Sequence, residues 1–194
     1  MKKICVYSLT VLLGLSSAYV SAQTQSKEPK EEISKEQRLV ERFGTEQLNS
    51  LPESSIDRSI LAQQGNNNAA TIDQRLLGIQ GNTAVVLQLG NTNVVNATQT
   101  GAGNSTTVKQ VGNRNHVTSD INGYETESFI LQDGSYNKIT QELNVDERRY
   151  KVQQQGNNNQ LTQRENGAAA PPGYEIHMKG NGIKMTIEQG KVGP

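Results

Sequence analysis

His116 and His177 are the residues best suited to bind a metal or move a proton near neutral pH, and Cys5 is the one thiol. Both histidines sit at outward positions of alternating segments, far apart in sequence and with no third ligand at metal spacing, so solvated side chains are expected and no metal or cofactor. Asp146, Glu147, Arg148 and Arg149 form one charged run, read as a solvated loop that interrupts a repeat. No nucleophile elbow or phosphate-cradling loop occurs, and no enzyme activity or catalytic residue is expected. The chemistry these residue types do favour is amide hydrogen bonding. The chain has 19 Asn and 19 Gln among 194 residues, and each side-chain amide offers two donors and two acceptor lone pairs. Hydrophobic residues make up 33%, well below the ~45–50% of an ordinary globular domain, so a conventional enzyme core is hard to build. Val, Ile and Thr are nevertheless plentiful and charge is modest, which does not fit simple disorder. A thin, repetitive β structure with a partly polar interior satisfies both constraints.

The amides are not scattered. A Q-x-G-x-x-N segment begins at Gln88, Gln110, Gln132 and Gln154, each 22 residues from the last, with an earlier copy at Gln63 and a degenerate one at Met178. Six copies at this period indicate a repeat architecture, and each copy reads as strand, tight arc, strand. Residues 104, 106, 108 and 110 alternate with Ser105, Thr107 and Lys109, and Asn115, Val117, Ser119 and Ile121 alternate with His116, Thr118 and Asp120, one set facing in and the other out. The arc glycines Gly65, Gly90, Gly112, Gly134, Gly156 and Gly180 supply a positive φ, and Asn tolerates the left-handed region. Stacked by period, Gln63, Gln88, Gln110, Gln132 and Gln154 form one inner column and Asn68, Asn93, Asn115, Asn137 and Asn159 another. Two apolar columns accompany them, running from Leu61 to Ile176 and from Ala70 to Met185. The expected fold is an all-β solenoid of about six coils over residues 57–190, rising ~4.8 Å per coil, with ladders of identical amides bonding along its axis. The ladders end unsatisfied, and the last strand, with Met185, Ile187 and Gln189 facing inward, is too close to the tail 191–194 to be capped; it is the expected assembly edge.

Residues 1–22 read as an export signal, with Lys2 and Lys3, an apolar run from Ile4 to Leu15 and a small-residue cleavage site at Val20-Ser21-Ala22. Cys5 would leave with it. Removing Lys2 and Lys3 leaves a net charge of −2, which argues against a nucleic-acid binder, and no integral membrane segment is expected afterwards. Residues 23–56 form a charged leader without repeats. Within it 31–48 reads either as a short amphipathic helix, with Ile33, Val40 and Phe43 on one side, or as a flexible solvated stretch. The leader either folds over the first coil or stays loose.

The repeats resemble the curlin repeat of bacterial curli fibres, whose pattern is approximately S-x5-Q-x-G-x-G-N-x-A-x3-Q. The match spans about residues 57–190 and rests on the Q-x-G-x-x-N core. The family's Ser position holds Asn82, Asn104 and Thr126, its Ala position is Ala70 and then Val95, Val117, Ile139 and Leu161, and its last Gln survives as Gln74, Gln99 and Gln189. The resemblance implies a secreted, self-assembling subunit of an extracellular amyloid fibre used in adhesion and biofilm matrix, major or nucleating. It also implies partners: copies of itself, other curlin-type subunits, and an outer-membrane secretion channel with its accessory proteins. A second reading stays open, in which a discrete solenoid presents stacked Thr118, Thr140, Thr162 and Thr186 to carbohydrate or another ordered surface.

Overall fold

The computed structural model describes residues 56–167 and 173–190. The expected signal, all of the leader but Ile56, and the tail 191–194 lie outside the described residues. Twelve strands alternate between two six-stranded parallel sheets: β1 (Arg58–Gln64), β3 (Thr83–Asn91), β5 (Ser105–Asn113), β7 (Glu127–Ser135), β9 (Arg149–Asn157) and β11 (Glu175–Lys179) in one, β2 (Ala69–Leu76), β4 (Val94–Ala102), β6 (His116–Tyr124), β8 (Lys138–Asn144), β10 (Gln160–Asn166) and β12 (Lys184–Gly190) in the other. Each odd strand and the even strand after it make one coil of an all-β solenoid with six coils and a period of about 22 residues. Among the described residues there is no helix.

Register follows from composition. Parallel pairing sets Gln88 beside Gln110 and Gln110 beside Gln132, and on the other sheet Val95 beside Val117 and Val117 beside Ile139. A slip of one residue would turn every buried side chain outward, so alternation fixes the pairing. Between the sheets, Val86, Val108, Ile130 and Val152 meet Val95, Val117, Ile139 and Leu161 in a continuous apolar core. Three extra residues fall within 77–82, where Ile79 is 89% exposed, and they account for the 25-residue first spacing.

The arc glycines Gly65, Gly90, Gly112, Gly134, Gly156 and Gly180 hold positive φ, as the sequence predicts. The structure adds two features: each coil has a second arc, and a second left-handed position falls at the fifth residue of the Q-x-G-x-x-N segment. Asn67, Thr92, Arg114, Tyr136 and Asn158 hold it in the first arcs, Gly103, Glu125 and Glu147 in the second, with non-glycine φ between 51° and 60°. The charged run expected as an interrupting loop is one of these second arcs: Asp146 Oδ1 accepts from the Tyr124 backbone N–H at 2.9 Å, and Arg149 opens β9 with an ion pair to Glu127 at 2.6 Å. A carboxylate takes the place of an arc amide as acceptor, so the coil keeps its path.

Candidate functional site: amide ladders and open ends

Inward-facing Gln side chains on the odd strands form a single directed chain of hydrogen bonds. Gln63 Nε2 donates to Gln88 Oε1 at 2.5 Å, Gln88 to Gln110 at 2.9 Å, Gln110 to Gln132 at 2.8 Å and Gln132 to Gln154 at 3.0 Å. The second N–H of each inner amide crosses the coil to a backbone carbonyl, Gln88 to Ala69 and Gln110 to Val94. Gln88, Gln110, Gln132 and Gln154 are 0% exposed, a burial tolerable only because donors and acceptors are paired. The chain ends on a weaker acceptor: Gln154 Nε2 meets Met178 Sδ at 3.3 Å.

The Asn column works differently. Each Asn Oδ1 accepts the backbone N–H of the next Asn, Asn68 from Asn93 at 2.9 Å and Asn93 from Asn115 at 3.1 Å, continuing through Asn137 and Asn159. Each Nδ2 donates to the arc-glycine carbonyl one coil on, Asn93 to Gly112 and Asn115 to Gly134, both at 2.9 Å. The Asn side chains thus bind the curved backbone where strand pairing is broken. At the last coil Ile183 contributes only its N–H, to Asn159 Oδ1, and carries no amide to pass on.

Three further polar groups were missed in the sequence reading. A second Asn column occupies the second arcs, where Asn104 donates to Asn82 Oδ1 through both its backbone N–H and Nδ2 at 3.1 Å, and Asn82 does the same to Asp57. The signal was present: Gln99-Thr100-Gly101-Ala102-Gly103-Asn104 is itself a Q-x-G-x-x-N segment, midway between those at Gln88 and Gln110. Gln141 and Gln163 form a short buried rung, Nε2 to Oε1 at 3.0 Å, with the Ser119 and Ser128 hydroxyls donating to Gln141 Oε1. In the last two coils Tyr150 donates its hydroxyl to buried Glu165, and the Tyr150 and Tyr174 rings meet edge to face at 5.2 Å. Burial, then the Glu165 carboxylate, pushes both phenols well above their ordinary range.

The histidines are separated. His116 Nε2 lies 3.2 Å from Thr118 Oγ1 on β6, and burial followed by the Lys138 charge lowers its pKa. His177 on β11 contacts Glu175 at 3.1 Å. Among the described residues no three metal-binding side chains converge. Register also stacks Asp120 beside Glu142, and burial, then that like charge, raises the Asp120 pKa. A carboxyl whose folded pKa exceeds its unfolded value favours the fold most at low pH, and that contribution is lost as pH rises through the folded pKa. Asp120→Asn is therefore expected to raise stability at pH 7 by roughly 0.5 kcal/mol, a solvent-screened amount, and to change little near pH 3. Thermal melts at the two pH values measure this; an equal effect at both would remove the electrostatic cause.

Both ends of the stack are open among the described residues: β1 and β2 have no neighbour before them, β11 and β12 none after. The expected assembly edge lies on β12, where Met185 and Gln189 are exposed and Ile187 packs partly against the core. At the other end Leu61, Ala70 and Ile72 are only partly covered. No protein-family model, no curated protein and no solved structure matches this chain.

Proposed function

We propose that this chain is a secreted subunit that stacks end to end into a curli-like extracellular fibre serving adhesion and biofilm matrix, with no catalytic role. The observation that carries the reading is the complementarity of the two open ends. Continuing each column by one coil sets Ile176 against Leu61 of the next copy, Met185 against Ala70, Ile187 against Ile72 and Gln189 against Gln74. Apolar meets apolar in three of these columns and amide meets amide in the fourth, while unpaired strand edges supply backbone donors and acceptors. Met178 against Gln63 and Ile183 against Asn68 are less well matched, which makes the junction weaker than an internal coil boundary. In this reading the partners are further copies, related subunits and an outer-membrane export channel, and the site of action is the cell surface.

The discrete-binder reading draws on one observation, the pairing of Thr118, Thr140, Thr162 and Thr186 in a single outward column. The fibre reading is preferred because Asp120, Glu142, Arg164 and Glu188 crowd the adjacent column with charge. Thr186→Pro with Ile187→Pro removes two backbone donors from the terminal strand. Wild-type seeds followed by thioflavin fluorescence should elongate at least tenfold more slowly with this variant. Normal elongation from both fibre ends would show that β12 is not the junction.

A further inference from the structure

The two sheets turn unlike outer faces to their surroundings. The even-strand sheet presents mainly polar side chains, among them Asn96, Thr98, Thr118, Asp120, Thr140 and Glu142, with Val94 and Tyr124 at strand ends. The odd-strand sheet presents Val85, Leu87, Leu89, Val111, Phe129 and Leu131 in coils two to four, with Thr107 and the Lys109 side chain between them in coil three. In coils five and six the same columns become Lys151, Gln153, Glu175 and His177. Val85 and Leu87 alternate with the core residues Val86 and Gln88 and so point away from the interior, yet each is only 6% exposed. Their column neighbours Thr107 and Lys109, and Phe129 and Leu131 one coil further on, are half-buried, the usual result of strand neighbours alone. Among the described residues no third layer crosses this face.

We propose that residues 31–48 of this same chain dock as an amphipathic helix on the outer face of the odd-strand sheet, over Val85 and Leu87. The described chain begins at Ile56, at the start of β1, a strand of this sheet and at the end where the apolar patch lies. Residues 49–55 can span up to ~25 Å, enough to turn the preceding segment back along the sheet. The apolar residues Ile33 to Phe43 would span ~15 Å of helix, close to the ~14 Å of coils two to four at the strand spacing, so the helix can run along the solenoid axis over the patch. Ile33, Val40 and Phe43 supply its apolar stripe. Gly44 weakens such a helix in isolation, so the sheet face provides the packing that stabilises it. Docked on the side, the helix covers the apolar face that would otherwise pair fibres laterally, and it leaves both solenoid ends free. The inference does not depend on the fibre reading, since a monomeric solenoid has the same face to cover.

The test uses the full chain carrying Cys5→Ser and Leu87→Cys, so that position 87 holds the single cysteine, kept dilute and monomeric. Maleimide labelling is expected to be at least tenfold slower than at Thr118→Cys on the opposite face. Adding Val40→Glu with Phe43→Glu, or deleting 31–48, should raise the rate at position 87 at least tenfold and leave position 118 unchanged. Fast labelling in the full chain, or protection that survives both changes, would overturn the proposal. Protection that disappears on dilution would also overturn it, since the occupant would then be a second copy. The point variant separates loss of docking from any folding defect of the deletion.

Discussion

Gly112→Ala is expected to cost more than about 4 kcal/mol and to leave the chain unable to complete its third coil. Gly112 has φ +108°, and an added Cβ would fall 2.0 Å from the Gly134 carbonyl oxygen. That oxygen accepts from Asn115 Nδ2, so the coil cannot move away without breaking the ladder. The same construction recurs at Gly65, Gly90, Gly134 and Gly156, whose added Cβ atoms meet the next arc's carbonyl at 1.9 to 2.1 Å. Gly182 provides the control: it has φ +69° and nothing within 4 Å of an added Cβ. Gly182→Ala should cost only about 1 kcal/mol, the ordinary left-handed penalty. Denaturant melts of the two variants measure the contrast, and similar losses would mean that backbone conformation rather than coil stacking sets the requirement.

The second large effect belongs to the interior amides. Gln110→Leu with Gln132→Leu keeps strand character and bulk but removes two consecutive rungs. Gln88 Nε2 then loses its acceptor and Gln154 Oε1 its donor, while the carbonyls of Val94 and His116 lose the amides that reach them. Each stranded buried group costs ~1–3 kcal/mol, so a loss of several kcal/mol is expected in a fold whose total stability is of order 5–15 kcal/mol. Fibre formation should slow in parallel. A melt within 0.5 kcal/mol of wild type would show that packing, not the ladder, holds the coils together.

How much of this was legible in the sequence depends on whether a feature repeats. The Gln63-to-Gln154 and Asn68-to-Asn159 columns and the alternation around them were visible because each recurs at a fixed spacing, and the two-sheet solenoid follows from them. The half-period was overlooked because it is clear only at Gln99 to Asn104. In later coils Ile121, Leu143 and Glu165 take the Gln position, and Thr126 and Arg148 take the Asn position. Gln141–Gln163 and Tyr150–Glu165–Tyr174 occur once each, so no periodicity marks them and only packing brings them together. The positive φ of the arc glycines was legible, but the second left-handed position was not, because coil stacking over-determines the arc and Thr92, Arg114 and Tyr136 adopt a conformation their side chains disfavour. Alternation marks Val85 and Leu87 as outward, but their burial is a property of the folded face.

The claim that copies stack end to end through their open coils is tested most directly by the axial repeat of the assembled fibre. The purified chain without residues 1–22 is incubated until fibres form, and the subunit rise is measured by cryo-electron microscopy. Six coils at ~4.8 Å predict strands perpendicular to the fibre axis and one subunit every ~29 Å in single file, with Met185 facing Ala70 across each junction. Chains that remain monomeric at high concentration, or fibres whose subunits join side by side, would contradict it.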